Sequence, residues 1–292
     1  MNVSSAQIAD DFRKSCASIG NFTANSAYDA NLNRLFFQLS SNQDFNNGFY
    51  NMSVGQSPDK VNAIALCRGD KNVSVCISCL KNNTYALRQT CPKNKEAIGW
   101  SEFCTLRYSN RQIYGIMEID PTAELWRTGD SSTPSDADVF YQTLSFLLKN
   151  LSTRAAAGGP NFKWATGMTV TPEKIFAIVQ CTPDLSQQNC SACLEKAMAD
   201  EKMRTYCYNK TGCRILQPSC NLRYEIGQFF DGEYVTVDVP SSPPPPEGNE
   251  NNPNQKSGVA AEGSNATRTI IISVVASVIA SLVGNLSLIL CI

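Results

Sequence analysis

The sequence predicts an α+β fold of two tandem domains, each with two helices packed on a small antiparallel sheet. The first observation is a repeated cysteine segment: CRGDKNVSVCISCL begins at Cys67 and returns as CTPDLSQQNCSACL at Cys181, and both copies read C-x2-D-x5-C-x2-C-L. The second is a Cys-x-Leu-Arg-Tyr motif at Cys104 and again at Cys220. The offsets of 114 and 116 residues far exceed a solenoid repeat, so they indicate two homologous domains. The third is that helical and alternating apolar patterns follow in the same order in both copies.

Each copy begins with an amphipathic helix, because apolar residues recur at i, i+3, i+4 and i+7 within residues 31–42 and residues 140–152 repeat the pattern. Alternating segments follow and predict strands: GFYNMSV and VNAIALC in the first copy, FKWATGMTV and KIFAIVQC in the second. The cysteine cluster then begins a second helix, predicted over about 74–89 and 187–206. Finally, CTLRYSN with QIYGIME, and CNLRYEI with EYVTVDV, predict a terminal hairpin in each copy.

These patterns divide the chain into four parts. The first domain is predicted over 1–118 and the second over 119–240, followed at 241–268 by a linker rich in Pro, Asn and Ser that we expect to be disordered. Residues 269–292 carry no charge and are long enough to cross a hydrocarbon core of about 30 Å as an apolar helix. Two interpretations stay open for this segment, a single-pass transmembrane helix and the hydrophobic tail of a GPI-anchor signal.

The composition excludes several function classes. The chain contains no histidine, which excludes Ser-His-Asp and Cys-His catalytic sites and zinc sites that need imidazole. Its formal net charge is -1 without a block of Lys and Arg, so nucleic acid is not an expected partner. The glycine-rich loop, His-Arg-Asp and Asp-Phe-Gly motifs of a kinase are also missing. We therefore predict no enzymatic activity, no catalytic residue, no metal and no cofactor.

Thirteen cysteines and abundant Asn-x-Ser/Thr sequons predict an oxidising compartment outside the cytosol. The segment after Met1 has neither the basic nor the apolar stretch of a signal peptide, so we expect the sequence to begin downstream of its natural start. The candidate glycosylation sites are Asn21, Asn51, Asn72, Asn82, Asn150 and Asn209.

The segment that begins at Cys67 admits four interpretations: a zinc knuckle, a redox pair, an Arg-Gly-Asp adhesion loop or a disulfide staple. Zinc needs two close cysteine pairs, whereas each copy has one C-x2-C and its other cysteines stand singly. If Cys76 and Cys79 were a thioredoxin-type redox pair, Cys67 would be a third cysteine that competes to form a disulfide with either of them. The Arg-Gly-Asp at 68–70 is more simply a polar turn between a strand and a helix. We favour the staple, which explains the six cysteines of the first copy, although six cysteines allow 15 pairings.

These motifs carry a family resemblance over residues 12–240. The two C-x8-C-x2-C clusters, with NGFYN, KEAIGW and LRYSN in the first copy and VQCTPDLS and PSCNLRYE in the second, resemble the ectodomains of plant cysteine-rich receptor-like kinases and the cysteine-rich repeat secretory proteins. The repeat unit is similar to the antifungal seed protein ginkbilobin. The resemblance implies two helices on a five-stranded antiparallel sheet in each domain. It also implies the disulfides Cys16–Cys91, Cys67–Cys76, Cys79–Cys104, Cys181–Cys190 and Cys193–Cys220.

The second copy departs from the ginkbilobin pattern. No cysteine near residues 125–140 matches Cys16, so Cys207 lacks that partner. Cys213 stands where the family usually has a small residue, close to Cys207 across a predicted turn. We therefore predict a Cys207–Cys213 disulfide, which leaves Cys291 unpaired.

The resemblance also implies a candidate carbohydrate site. Ginkbilobin binds mannose through an Asn after its first cysteine, an Arg before its last cysteine and a Glu after it. Arg214 and Glu225 fill the last two positions in the second domain, but the cysteine and its Asn are missing. In the first domain Ala17, Ile98 and Ser109 stand at the three positions. A complete mannose site is therefore not expected, and we favour a cross-strand ion pair between Arg214 and Glu225.

Two function classes remain beside the excluded enzyme. The first is a recognition module in the apoplast, tethered to the plasma membrane by the C-terminal segment. It would be a truncated receptor-like kinase or a receptor-like secretory protein without a kinase domain, and it would bind an unknown extracellular ligand, a cell-surface protein or a glycan in stress or defence signalling. The alternative is a mannose-binding antifungal protein of the lectin kind. A homodimer or heterodimer stays open, and the segment of about 25 residues between Met117 and Tyr141 favours a fixed arrangement of the two domains.

Overall fold

The computed structural model of the chain describes residues 12–18, 20–41, 48–128, 133–159 and 162–239. These residues form two α+β domains within one compact unit, which confirms the predicted fold class. The linker and the apolar helix predicted over 241–292 lie outside the described residues. Within the described ranges, no helix is both long enough and apolar enough to cross a bilayer.

The first domain packs two helices on one face of a five-stranded sheet. Helix α1 spans Ala27–Ser41 and helix α2 spans Val73–Thr90. The strands in chain order are β1 Arg13–Cys16, β2 Phe49–Val54, β3 Val61–Cys67, β4 Ala97–Trp100 and β5 Cys104–Ser109. They lie in the order β1-β4-β5-β3-β2, and every neighbouring pair is antiparallel. The expected sheet is therefore confirmed for this domain.

The sheet of the first domain is buried on two faces. Ala63, Ala65 and Cys67 of β3 belong to the core beneath the helices. Ile64 and Leu66 point to the opposite face, because successive side chains of a strand alternate, and they are also buried. Leu66 lines a small cavity together with Ile178 of the second domain. The second buried face therefore belongs to the contact between the domains.

The second domain repeats this plan and adds one strand. Helix α3 spans Ala137–Ala157 and helix α4 spans Gln187–Ala197. The strands are β6 Ala123–Trp126, β7 Trp164–Thr169, β8 Phe176–Cys181, β9 Gly212–Leu216, β10 Cys220–Glu225 and β11 Val235–Val237. Their order is β11-β7-β8-β10-β9-β6, and β11 runs parallel to β7. The expectation of five antiparallel strands is wrong here, because the C-terminal segment returns to the outer edge of the sheet.

The predicted terminal hairpins do not form. Strand β5 lies between β4 and β3, and β10 lies between β9 and β8, so both edges of each strand are already paired. The QIYGIME segment consequently has no strand partner and runs on toward the second domain. The EYVTVDV segment supplies β11 at the far edge instead.

The helix predicted over 187–206 is also corrected, because α4 ends at Ala197. The chain continues as a short helix α5 over Asp200–Lys202 and a π-helical turn over Met203–Cys207. In that turn the amide of Tyr208 donates to the carbonyl of Met203 at 2.8 Å. The wider turn closes the helical segment at Cys207, which is disulfide-bonded to Cys213 on β9.

Six disulfides tie the two domains internally, with Cα–Cα distances between 5.5 and 6.0 Å that suit an ordinary bridge. They join Cys16–Cys91, Cys67–Cys76, Cys79–Cys104, Cys181–Cys190, Cys193–Cys220 and Cys207–Cys213. These are the five pairs that the resemblance implies, together with the pair inferred from the departure of the second copy. Cys291 lies outside the described residues.

Candidate functional site

The Arg-Gly-Asp tripeptide forms a turn between β3 and α2, and its two charged side chains are buried. The Asp70 side chain is fully buried, and only 8% of the Arg68 side chain is exposed. Arg68 binds Asp70 in a bidentate pair, with Nε to Oδ1 at 2.6 Å and Nη2 to Oδ2 at 2.9 Å. Burial raises the pKa of Asp70, but hydrogen bonds from Arg68 and from the amide of Asp231 lower it below its usual range. A receptor that recognises an exposed Arg-Gly-Asp loop would not reach these groups.

Gly69 marks a close approach between the two domains. Its amide donates to Oε1 of Gln180 at 3.3 Å, and Nε2 of Gln180 donates to the carbonyl of Cys67 at 2.8 Å. A Cβ atom at position 69 would lie 2.3 Å from the ring of Trp164. Any other side chain would therefore displace the indole and separate the two surfaces.

Three guanidinium groups converge on Glu102, in the turn between β4 and β5. Nη1 of Arg68 lies 3.0 Å from Oε1, and Nη1 of Arg223 in the second domain lies 2.5 Å from the same atom. Arg214, also from the second domain, forms an ion pair with Oε2. Burial raises the pKa of the Glu102 carboxyl, but the charges of Arg214, Arg223 and Arg68 lower it below its usual range. We call Arg68, Asp70, Glu102, Arg214 and Arg223 the interface cluster.

Phe229 adds a ring to the interface cluster. The guanidinium carbon of Arg223 lies 4.1 Å from the ring centroid, and that of Arg68 lies 5.7 Å from it. Nη2 of Arg68 also donates to the Phe229 carbonyl at 3.0 Å. The two arginines, one from each domain, therefore share a carboxylate and an aromatic ring.

A second set of contacts joins the domains through hydrogen bonds in which at least one partner is a backbone group. The amide of Glu118 donates to Oγ of Ser219 at 2.9 Å, and the amide of Ser219 donates to the Glu118 carbonyl at 3.2 Å. The indole Nε1 of Trp100 donates to the Gln217 carbonyl at 3.4 Å. Gly115 donates to Asp184 at 2.6 Å. Together with the interface cluster, these bonds fix the arrangement of the domains.

An open cleft of about 510 Å³ lies beside this interface, and residues of both domains line it. Arg13 comes from β1 of the first domain, whereas Trp126 ends β6 of the second domain and Arg127 follows that strand. Trp126 is 45% exposed and stacks on Tyr206, with ring centroids 6.2 Å apart. The cleft thus combines an accessible aromatic ring with cationic and carboxylate groups, a combination suited to a polar ligand that also has an apolar face.

Arg214 and Glu225, the candidate carbohydrate residues, both line this cleft. The predicted ion pair between them is wrong, because the strand register sets Glu225 opposite Gly212 and Arg214 opposite Arg223. Arg214 instead binds Glu102, and Oε2 of Glu225 lies 2.8 Å from Nε of Arg127. Both polar groups are therefore engaged by other protein side chains.

The register also identifies what replaces the missing part of the mannose site. In the first domain Cys16 pairs with Ala97 on the neighbouring strand, and Ala97 in turn lies opposite the tyrosine of the Leu-Arg-Tyr motif. In the second domain Trp126 pairs with Cys213, and Cys213 lies opposite the tyrosine of the second Leu-Arg-Tyr motif. Trp126 therefore occupies the position of Cys16. Arg127 follows it at the position where ginkbilobin has its Asn.

In the first domain a dense ion network occupies the equivalent region. Nη2 of Arg107 and Nη2 of Arg111 lie 2.8 and 2.7 Å from Oε1 of Glu96, and Oγ of Ser109 donates to Oε2 at 3.0 Å. Both arginines also contact Glu118. Burial raises the pKa of Glu96, but the hydrogen bonds from Arg111 and Arg107 lower it to about 2.

The described sequon asparagines are distributed over both domains. Asn51 lies on β2, Asn82 lies in α2, and both side chains are exposed. Asn72 is the exposed N-cap of α2, where its side chain accepts from the amide of Val75. Asn21 and Asn209 are exposed outside helices and strands, and Asn150 of α3 is half-buried. No cluster of metal-ligating side chains occurs among the residues that the structure describes.

The sequence did not indicate Glu102, Gln180 or Trp126 as functional residues. Glu102 and Gln180 have no motif, because their role depends on the packing of two domains. Trp126 had a detectable signal: it precedes Ala137 at the start of α3 by as many positions as Cys16 precedes the start of α1.

Comparison with known proteins identifies the repeats. The model of the family described as salt stress response/antifungal matches residues 15–111 and 127–226. Among solved structures, the tandem DUF26 ectodomain of the cysteine-rich receptor-like protein PDLP8 from Arabidopsis thaliana has a TM-score of 0.58 at 20% identity, covering 73% of this chain and 96% of that one. The corresponding ectodomain of PDLP5 gives a TM-score of 0.55 at 19% identity, covering 74% and 98%. These two likenesses concern the fold.

Three similar proteins differ in how much of their own length this chain matches. Cysteine-rich receptor-like protein kinase 26 of Arabidopsis thaliana is 42% identical over 78% of this chain and 34% of its own. Cysteine-rich repeat secretory protein 38 of Arabidopsis thaliana is 38% identical over 73% of this chain and 83% of its own. The antimicrobial ginkbilobin-2-like protein of Castanea crenata is 34% identical over 79% of this chain and 93% of its own. The chain thus spans about a third of the kinase relative and most of the two shorter proteins.

Proposed function

The chain belongs to the salt stress response/antifungal family, and on that premise we propose that it is an extracellular, non-catalytic recognition module. In this proposal residues 269–292 tether it to the plasma membrane, and it binds an extracellular ligand or cell-surface protein in stress or defence signalling. The shorter relatives are named as a secretory and an antimicrobial protein, which supports an extracellular location. Six disulfides support the same location, because such bridges persist in oxidising compartments.

The observation that carries the proposal is the cleft at the domain interface. Arg13 of the first domain lines one side of this opening, and the other nine lining residues, Trp126 among them, belong to the second domain, so the complete lining requires the present arrangement of the domains. The interface cluster and the Glu118–Ser219 bonds hold that arrangement. A rigid cleft with an exposed indole lowers the entropic cost of ordering a recognition surface.

Binding screens with the full chain against a glycan array and a peptide library test this proposal. We expect at least one reproducible ligand whose binding is lost in Trp126→Ala and reduced in Arg127→Ala. Tyr114→Ala is the matched control, because Tyr114 is 49% exposed and does not line the cleft. Ligands that bind equally well to both cleft variants and to the control would contradict a recognition role for this cleft.

A mannose-binding antifungal protein is the second candidate function. Arg214 and Glu225 in the cleft and the antimicrobial relative favour it. The ion pairs of both residues and the Arg at position 127 oppose it. Mannose and mannan in the same screen separate the candidates: binding that Arg214→Ala abolishes would support this second function in place of the first.

The proposed tether has its own test. Phospholipase C treatment of plant membranes that contain the full chain should release the protein if residues 269–292 are the tail of a GPI signal. Retention in the membrane would support a spanning helix. Recovery of the untreated protein in the soluble fraction would contradict both forms of tether.

A further inference from the structure

Strand β2 forms one edge of the first sheet. Among the described residues, β3 is its only strand partner. The amide of Cys67 donates to the carbonyl of Gly48 at 2.6 Å, which fixes the alternation of hydrogen-bonded pairs along the ladder. The backbone N–H and C=O groups of Phe49, Asn51 and Ser53 consequently point away from β3, toward the open edge.

The same edge of the second sheet is covered. Strand β11 pairs with β7 there and covers the edge. Just before β11 begins, Oγ1 of Thr166 donates to the carbonyl of Glu233 at 2.9 Å. Thr166 pairs with Ile178 on the adjacent strand, as Asn51 pairs with Ile64. Because Ile64 and Ile178 hold equivalent positions in the repeat, Asn51 stands where the second domain anchors its cover.

Among the described residues, no second strand pairs with the outer edge of β2. The stretch after β5 continues toward the second domain, where the Ile116 carbonyl accepts from Ser219 at 3.3 Å and Glu118 exchanges bonds with the same residue. Edge strands that stay open are usually protected by charge, proline or a bulge, because their free backbone groups can pair with another chain. The sequence of β2, FYNMSV, contains no charged residue and no proline.

We propose that an N-linked glycan on Asn51 covers this edge and prevents strand pairing between copies of the chain. Asn51-Met52-Ser53 is a sequon, and the Asn51 side chain is exposed at the middle of the strand. A branched, hydrated oligosaccharide at that point blocks the approach of a second strand to the outward backbone groups. The inference rests on the extracellular location in the proposed function, because only a secreted chain receives the glycan.

Site occupancy is the first test. The full chain, expressed in plant cells behind a secretory signal peptide, is digested and deglycosylated in heavy-oxygen water, and mass spectrometry then measures the modified fraction at each sequon. We expect nearly complete occupancy of Asn51. An unmodified Asn51 beside a modified Asn82 would overturn the glycan inference and leave the proposed function intact. A chain without any glycan would also overturn the inference, and the proposed function would still rest on the binding screens.

Self-association is the second test, measured by co-precipitation of two differently tagged copies of the full chain from plant cells. Asn51→Gln removes the glycan and leaves an uncharged edge, so it should increase recovery of the second copy several-fold over the wild type. Asn51→Lys also removes the glycan but places a charge on the edge, so recovery should stay near the wild-type level. Circular dichroism checks that both variants fold, and binding of a ligand that the screens identify for the wild type is a second check.

Asn82→Gln is the matched control, because it removes a glycan from an exposed helical position rather than a strand. We expect it to behave as the wild type. Two results would overturn the inference: Asn51→Gln that associates no more than the wild type, or Asn82→Gln that associates as strongly as Asn51→Gln. The second result would mean that glycans act through general solubility and not at this edge.

Discussion

The first strands of the two domains occupy equivalent places in their sheets, but different devices hold them. In the first domain the Cys16–Cys91 disulfide ties β1 to the end of α2 across 75 residues. In the second domain Trp126 stands at the cysteine position and stacks on Tyr206, while the Cys207–Cys213 disulfide closes a separation of only 6 residues. The comparison teaches that a stacked aromatic pair can stand where the other domain has a covalent tie, and that the replacement leaves an exposed indole at the cleft.

The charged groups of the two domains are also used differently. In the first domain Glu96, Arg107 and Arg111 satisfy one another near their own sheet. In the second domain Arg214 and Arg223 reach across to Glu102 of the first. One network therefore stabilises a single domain, and the other joins two.

The largest expected effect concerns Cys16–Cys91 and Cys207–Cys213, the two disulfides that have no equivalent in the other domain. Replacing Cys16 and Cys91 by Ser should reduce the free energy of unfolding by about 4 kcal/mol, because the bridge constrains a long loop of the unfolded chain. Replacing Cys207 and Cys213 by Ser should cost about 2 kcal/mol, because that loop is short. Urea unfolding of both double variants measures the difference. Equal losses, or a larger loss for the Cys207–Cys213 pair, would contradict the proposed difference between the two ties.

The next effect is at the shared carboxylate. Glu102→Gln should cost about 3 kcal/mol, because three guanidinium groups then lack their common counter-charge in a largely buried site. Thermal unfolding should also separate into two transitions as the domains lose their coupling. Glu124→Gln removes a carboxylate that lines the cleft but is outside the interface cluster, and it should leave one transition. A single unshifted transition in Glu102→Gln would show that the cluster does not join the domains.

A smaller effect is expected at Gly69. Gly69→Ala should destabilise the chain by about 2 kcal/mol, because its Cβ would meet the Trp164 ring at 2.3 Å. Gly227→Ala is the control, since a Cβ there has no neighbour within 4 Å. Differential scanning calorimetry compares the two variants. Similar unfolding temperatures for both variants would mean that Gly69 and the Trp164 ring are farther apart than in this structure.

The smallest effect depends on pH and is confined to the first domain. Because the pKa of Glu96 is about 2 in the folded chain and 4.5 is its ordinary value, its contribution is present above about 4.5 and is lost as the pH falls toward 2. Glu96→Gln should therefore be about 1 kcal/mol less stable than the wild type at neutral pH. The gap should close between those two pH values, as measured by urea unfolding. A gap that does not change with pH would exclude the carboxylate as its cause.

The sequence predicts the parts of this fold that repeat within it. The apolar residues that recur within 31–42 and 140–152 lie in α1 and α3, and the cysteine spacing marks both domains. Strands β1, β4, β6 and β9 were missed because four or five residues are too few to establish an alternation. The position of β11 could not be predicted, since a short parallel strand is placed by the edge that it covers and not by its own pattern.

The site was less predictable than the fold. Arg214 and Glu225 were found through resemblance, and both line the cleft, but their ion-pair partners were not foreseen. Those partners, Glu102 and Arg127, are brought near by contacts between the domains and by the register of β6. The Arg-Gly-Asp turn was correctly placed, yet its burial depends on the second domain, which no local pattern reports.

Hydrogen exchange at the Glu118–Ser219 contact tests the fixed arrangement of the domains most directly. Each of these amides donates to the other residue across the boundary, at 2.9 and 3.2 Å. In the full chain under native conditions, peptides that contain either residue should exchange as slowly as those from the central strands β5 and β10. Fast exchange at both positions, with the strands still protected, would show that the domains separate and that the complete lining of the cleft is not preformed.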